Sequence, residues 1–210
     1  MTTRAAAAQN DRRVFVGALI GISTLSADGR AVTMPPEAAV SGYKPENGFT
    51  IDVFGGVHLA QYFSLQGNYM WNRNDLTLFS SFVTPQGGGF YEQNRESAQH
   101  AAVADALVYF RRRDSRIRPY LGTGLSVVRF RASVIDSTIS GLNAPSGEIV
   151  STRVALRSHV GVDFGLSSRT ALRYSFSETI GGNPISPVLS PRGERGLAHF
   201  QNLFGMVARF

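Results

Sequence analysis

Cysteine is absent from the 210 residues, and charged residues make up only 17% of them, against about 25% in an ordinary soluble domain. The first absence removes disulfide frameworks, thiolate metal sites and redox motifs, and leaves the redox compartment unread. A long apolar run is also missing. The longest, Val14 to Ile22, is well short of the ~20 residues that a membrane-spanning helix needs, so no helix of this chain crosses a bilayer. Tryptophan occurs once, whereas phenylalanine occurs 14 times and glycine 22 times, the latter above the roughly 7% typical of globular chains. Lys and Arg outnumber Asp and Glu, 21 to 15, for a formal charge of +6. Such an excess suits an anionic partner, nucleic acid or lipopolysaccharide alike, and does not choose between them.

The opening Met1-Thr2-Thr3-Arg4 lacks the apolar stretch of roughly 7 to 15 residues found in a secretory signal. Ala6-Ala7-Ala8 before Gln9 nevertheless has the small-x-small form of a signal-peptidase site. Residues 1–11 therefore read as a disordered tail or the remnant of a trimmed signal, and residues 12–210 as a single domain.

Residues Phe63 to Asn72 alternate, with Phe63, Leu65, Gly67, Tyr69 and Trp71 on one side and Ser64, Gln66, Asn68, Met70 and Asn72 on the other. Period two with one greasy face marks a strand. The same alternation predicts strands over Phe49 to His58, Val154 to Phe164, Leu172 to Ser177 and His199 to Phe210. Less cleanly, it predicts Arg13 to Ser23, His100 to Phe110 and Pro119 to Phe130, making eight in all. Short turns are expected around Leu59 to Tyr62, Arg111 to Arg118 and Ser167 to Arg169. Long loops, rich in Pro, Gly, Asn and Ser, are expected around Leu25 to Glu46, Asp75 to Glu96, Arg131 to Ser151 and Ile180 to Gly196. Short and long alternate, which gives an up-and-down meander, and eight antiparallel strands lose their edges by closing into a barrel.

The greasy face of a barrel points inward in a soluble carrier and outward in a membrane protein. An eight-stranded barrel is only just wide enough to be filled by side chains, and one face here carries Phe49, Phe63, Tyr69, Trp71, Phe164, Tyr174, Phe176, Phe200, Phe204 and Phe210. These rings would crowd the interior. The other face combines Gly17, Gly21, Gly56, Gly122, Gly124, Gly161 and Gly205 with Asp52, Asp105, Arg157, Asp163 and Arg173. The expected fold is all-β: an eight-stranded antiparallel up-and-down transmembrane β-barrel with a polar lumen. A turn centred on Ser168 places Asp163 opposite Arg173 and His159 opposite Ser177, all inward. Directly opposed residues have Cβ atoms about 4.5 to 5.5 Å apart, so an Asp163–Arg173 ion pair is expected. Asp52, Asp105, Arg157 and His159 would extend it into a lumen network.

With these features the chain resembles the small outer-membrane barrels of Gram-negative-type bacteria, the group of the OmpA transmembrane domain and OmpX. The final strand carries the resemblance furthest, ending in Phe210 with Ala208, Met206 and Phe204 at alternate positions before it and Gly205 within it. Leu203 stands where the family pattern has a polar residue. Arg118-Pro119-Tyr120-Leu121-Gly122-Thr123-Gly124 also looks like the Pro-Tyr-x-Gly-x-Gly strand start of this family. The resemblance implies an outer-membrane location, recognition of Phe204, Gly205, Met206, Ala208 and Phe210 by the barrel assembly machinery, and long loops facing the exterior. With the sequence ending at Phe210, no peptidoglycan-binding domain is expected.

Other motifs have blander readings. Five Arg lie between Arg111 and Arg118; a nucleic-acid surface would need them interleaved with exposed aromatics on a soluble fold, and their place in a tight turn predicts a solvated turn touching anionic head groups. Gly122-Thr123-Gly124 is half of a dinucleotide fingerprint, with Val127 in place of the third Gly and a strand where a helix should follow. The Gly run within Thr84 to Tyr91 predicts a flexible loop tip. The four His lack metal-ligand spacing. His159 with Asp163 and Ser177 suggests a hydrolytic triad, lumen packing being the commoner outcome. Two enzyme families among small outer-membrane barrels act on lipid A; the deacylases carry His-x-Ser, and no His here is followed by Ser at that spacing. The expectation is a monomeric structural or surface-interaction protein, not an enzyme, without cofactor, metal or nucleic acid. Its partners are outer-membrane lipid, lipopolysaccharide and the assembly machinery. Lipid A modification, a narrow pore and a soluble lipocalin-like carrier are the alternatives, the last disfavoured by the terminal Phe strand and the absence of Gly-x-Trp near the first strand.

Overall fold

The structure, a computed structural model, describes residues 13–26, 30–34, 36–193 and 196–210. The tail and signal-remnant reading of residues 1–11 lies outside these residues. The described chain forms β1 (Val14–Leu25), β2 (Ala31–Thr33), β3 (Ala38–Pro45), β4 (Gly48–His58), β5 (Phe63–Thr84), β6 (Gly87–Tyr109), β7 (Ile117–Ser140), β8 (Ile149–Gly165), β9 (Thr170–Gly182) and β10 (Gly196–Arg209). Eight of these close an antiparallel ring in the order β1-β4-β5-β6-β7-β8-β9-β10, with β1 paired to β10 from Phe15↔Arg209 to Leu25↔His199. The remaining two stand above the ring, β3 pairing with the upper half of β5 in line with β4. We call the end that carries the short connections 59–62, 110–116 and 166–169 the lower end. One of these turns shows why it is tight: Ser167 Oγ accepts the amides of Arg169 and Thr170 at 3.1 and 3.0 Å, a side-chain cap on the reversal.

Around the ring the bulky face is exposed, including Ile20, Phe49, Leu65, Tyr69, Leu125, Leu156, Phe164, Phe176 and Phe204. So many large apolar residues outside a closed barrel fit lipid, not water.

Three of the long connections correct the sequence reading, because half or more of each is strand, whereas the one from Ile180 to Gly196 remains mostly irregular. β5 and β6 run on through Asp75 to Glu96 as one hairpin that ends at Thr84↔Gly87, so the Gly-rich segment is a hairpin tip. β7 continues to Ser140, and β2 and β3 occupy much of Leu25 to Glu46. The reason is an inversion of polarity. Below Trp71 the outward residues of β5 are apolar; just above it they become Arg73, Asp75 and Thr77, while Leu76 and Leu78 face inward. On β6 and β7, Glu92, Glu96, Arg129 and Arg131 face out where Tyr91, Phe130 and Ala132 face in. Period two runs on through β5 and β6, and on β7 as far as a bulge at Ile135, but its two faces exchange character, as expected where a sheet leaves an apolar medium for water.

Rings are not excluded from the interior either. Phe15 and Phe54 point inward from neighbouring strands, each opposite a glycine, Gly56 and Gly17. A Cβ at either glycine would lie 2.3 Å from the facing ring. Inward glycines are therefore the space into which inward rings fold, and Tyr120 uses Gly161 in the same way. At Gly122 the three atoms nearest an added Cβ all belong to His159, the closest at 2.0 Å. Gly122→Ala should destabilise the folded barrel by about 1 to 3 kcal/mol, the usual cost of overpacking. In a double-mutant cycle with His159→Ala, denaturant titration in lipid vesicles should return a coupling of about 1 kcal/mol; additive effects would show that the ring is not what fills the space.

Candidate functional site

The only large assembly of buried polar groups that the fold creates among the described residues lies along the barrel axis, and it is built from inward positions of the ring strands. Near the lower end, β8 and β9 place Asp163 directly opposite Arg173 and His159 opposite Ser177. Arg173 Nε donates to Asp163 Oδ1 at 2.6 Å and Nη2 to Oδ2 at 3.0 Å, the bidentate fork that makes a guanidinium–carboxylate pair strong and directional. Arg173 also donates to Tyr109 Oη at 2.9 Å and Gln66 Oε1 at 2.8 Å. Its guanidinium carbon lies 4.9 and 4.8 Å from the ring centres of Phe54 and Tyr120, close enough for cation–π attraction.

One level higher, Arg157 from β8 reaches Asp105 of β6 at 2.8 Å and Asp52 of β4 at 3.3 Å. His159 Nε2 lies 3.4 Å from Asp105 Oδ2. Two carboxylates thus share one guanidinium across the width of the barrel. Asn68 Nδ2 adds bonds of 3.1 and 3.0 Å to the Asp52 oxygens, and Gln66 Nε2 donates to Asn68 Oδ1 at 3.1 Å. Gln66 and Asn68, two residues apart on β5, therefore join the two levels. The hydrogen-bonded chain runs Asp163–Arg173–Gln66–Asn68–Asp52–Arg157–Asp105. Above it, Thr50 and Gln201 both donate to Asn72 Oδ1, and Ser177 donates to Gln201. His159, Asp163 and Ser177 do not assemble as a triad: Asp163 is held by Arg173, Ser177 bonds Gln201, and His159 leans toward Asp105.

The upper end differs in kind. Leu25, Tyr43, Leu76, Leu78, Tyr91 and Phe130 form an apolar cluster over the polar levels, and Ile185 and Leu189 from the β9–β10 connection pack into it. That connection is pinned from within. Ser41 Oγ donates to the Pro191 carbonyl, Ser80 Oγ to that of Ser190, and Asn183 Oδ1 accepts the amides of Ile185 and Ser186. Arg95 pins the β7–β8 connection by donating to the carbonyls of Pro145 and Gly147. The interior is therefore polar only in part, its upper end being greasy for the same reason that the outer face there is not.

Two groups escape a reading that ends strands at their apolar outer faces. Arg95 and Tyr91 continue the inward parity of Asp105 past His100, and Arg118 continues that of Gly124, Gly122 and Tyr120. Arg118 is consequently buried instead of solvated in the turn. Arg113, by contrast, is in the turn itself; burial, with Arg13 close by, holds its guanidinium below the usual range.

The residues expected to carry the assembly signal lie on β10, the strand that closes the ring. Phe204, Met206 and Phe210 face outward, Ala208 lies on the same side, and an added Cβ at Gly205 would meet the Ala18 carbonyl at 2.0 Å. Residues 1–191 match the family described as outer membrane protein beta-barrel domain. The chain belongs to this family. It is an outer-membrane β-barrel of the Gram-negative type, and β10, beyond the matched residues, takes its place by pairing with β1 and β9. The fold is that of Neisserial surface protein A, with a TM-score of 0.56 and 14% identity over 94% of this chain and 97% of that one. It is likewise that of OprG from Pseudomonas aeruginosa, with a TM-score of 0.51 and 10% identity over 96% and 98% of the two chains. Among curated protein sequences no match is found.

Because Asp163 and Arg173 are buried together in this outer-membrane barrel, breaking the pair strands one charge. Asp163→Ala should cost about 3 to 5 kcal/mol, and Asp163→Ala with Arg173→Met distinctly less. Denaturant titration in lipid vesicles measures both, and equal stability of the single and double variants would contradict the pairing argument.

Proposed function

We propose that this outer-membrane barrel serves as a closed structural and surface-interaction protein, its long-hairpin end facing the exterior and its interior filled. The observation that carries this reading is the hydrogen-bonded chain from Asp163 to Asp105 lying beneath the apolar cluster of Leu76, Leu78, Ile185 and Leu189. A solute would have to part both, and a partly broken polar network in a confined interior is costlier than an intact one. The exchange of polarity above Trp71 supports the orientation: polar strand extensions stand beyond the lipid at the upper end, while the lower end has only short turns.

The same extensions suggest the partners. Arg129 of β7 faces outward on the rung of Trp71, and Arg131 on the next outward rung, that of Arg73, where they would meet the phosphates of lipopolysaccharide. The outward row Phe204, Met206, Ala208 and Phe210 on the closing strand is the segment we assign to the barrel assembly machinery, the folded protein being a monomer. The loops' own ligand is a surface partner, and catalysis has no place in this reading.

Purified protein in a planar bilayer should give no steady conductance; stable openings of the unaltered chain would replace this reading with a narrow pore. Deleting Phe210 should reduce the folded protein found in the outer membrane of cells several-fold, while refolding in vitro into detergent is little changed. Normal surface levels of the shortened chain would remove the assembly role.

A further inference from the structure

The lower end of the barrel opens into a chamber of about 640 Å³ that the filled interior does not use. Among the described residues its walls carry Arg112, Arg113, Arg116, Arg118 and Arg209 against a single acid, Asp114. Arg118 forms the floor. It is 1% exposed, and none of its three guanidinium nitrogens has a hydrogen-bond partner in the protein; its plane lies over the Tyr109 ring at 3.8 Å. The carboxylate opposite it in the ladder, Asp163, is already engaged in the fork with Arg173 and lies 3.5 Å from Arg209. Arg209 Nη2 has no hydrogen-bond partner either. Arg113 has a fixed place, donating to the carbonyls of His58 and Ala60.

A guanidinium withdrawn from bulk water needs acceptors for its donors and a counter-charge. Of the fully buried arginines, Arg157 and Arg173 have found both and Arg95 four neutral acceptors; Arg118 has found only a ring face. A neutral acceptor would satisfy the donors and leave the charge. A multivalent oxyanion satisfies both, since its oxygens match the guanidinium fork and several cations converge on it. We propose that this chamber is a binding site for a phosphate-type oxyanion, with Arg118 as its floor and Arg113, Arg116 and Arg209 as its walls. The group is either a free phosphate or pyrophosphate, or the phosphate of an anionic phospholipid at the barrel's lower rim. The site is independent of what the upper end contacts, so a failed conductance or surface assay leaves it standing.

The test uses the folded full-length protein and Arg118→Gln, with Arg73→Gln, an exposed arginine paired to Glu96 at the upper end, as control. In detergent, calorimetric titration with inorganic pyrophosphate at low ionic strength should show saturable binding. Its affinity should fall about tenfold or more in Arg118→Gln and stay unchanged in Arg73→Gln. In a second arm, unfolding midpoints are compared in vesicles of phosphatidylcholine with and without phosphatidylglycerol. Pyrophosphate binding identifies a soluble source. A midpoint raised only by phosphatidylglycerol, and only when Arg118 is present, identifies a head group. If Arg118→Gln fails to fold, Arg209→Gln replaces it, because Arg209 lines the same chamber from the last strand. Equal binding by the unaltered and chamber variants, or no response in either arm, overturns the proposal.

Discussion

Closure of the sheet between β1 and β10 is the constraint on which everything else depends. A strand edge left open in hydrocarbon would strand a row of amides and carbonyls without water to satisfy them, so the ring must close. With eight strands it closes around an interior barely wider than the side chains that enter it. Each inward residue is then chosen against the one across from it. Phe15 faces Gly56 and Phe54 faces Gly17, and each buried carboxylate meets a guanidinium, as Asp163 does Arg173 and as Asp52 and Asp105 do Arg157.

The same narrowness explains why the interior charges of Asp163, Arg173, Asp52, Arg157 and Asp105 are joined in one chain instead of standing as isolated pairs. Arg173 donates to Gln66, and Asn68 bridges Gln66 and Asp52. Every donor that finds its acceptor this way rigidifies the neighbouring strand, and low local dielectric strengthens each bond. Arg118 departs from this rule at the lower end, beside the open chamber, where none of its guanidinium nitrogens has a hydrogen-bond partner.

Much of this was legible in the sequence. The eight ring strands follow from alternation, and a turn placed on Ser168 sets Asp163 against Arg173 without any coordinates, because antiparallel register is arithmetic once the turn is known. The upper half was not legible as strand, since Leu76, Leu78 and Tyr91 are apolar on the face that is polar lower down. A reader following the greasy side loses the strand where the solvent changes. Arg118 was hidden by company: four other arginines precede it, and only the parity of Tyr120, Gly122 and Gly124 shows that it belongs to the strand and not to the turn.

The upper portions of β5, β6 and β7 remain paired to one another far beyond the ring, Ser80 still meeting Tyr91 and Tyr91 meeting Ile139. From Asn72 to Thr84 such a sheet extends roughly 40 Å along the strand, at about 3.3 Å per residue. A stiff fin of this length acts as a lever arm, not a tether. Whatever docks at its tip meets a surface already in its final shape, so little ordering entropy is lost on contact. Load applied there passes through the unbroken β5–β6 ladder into the wall of the barrel.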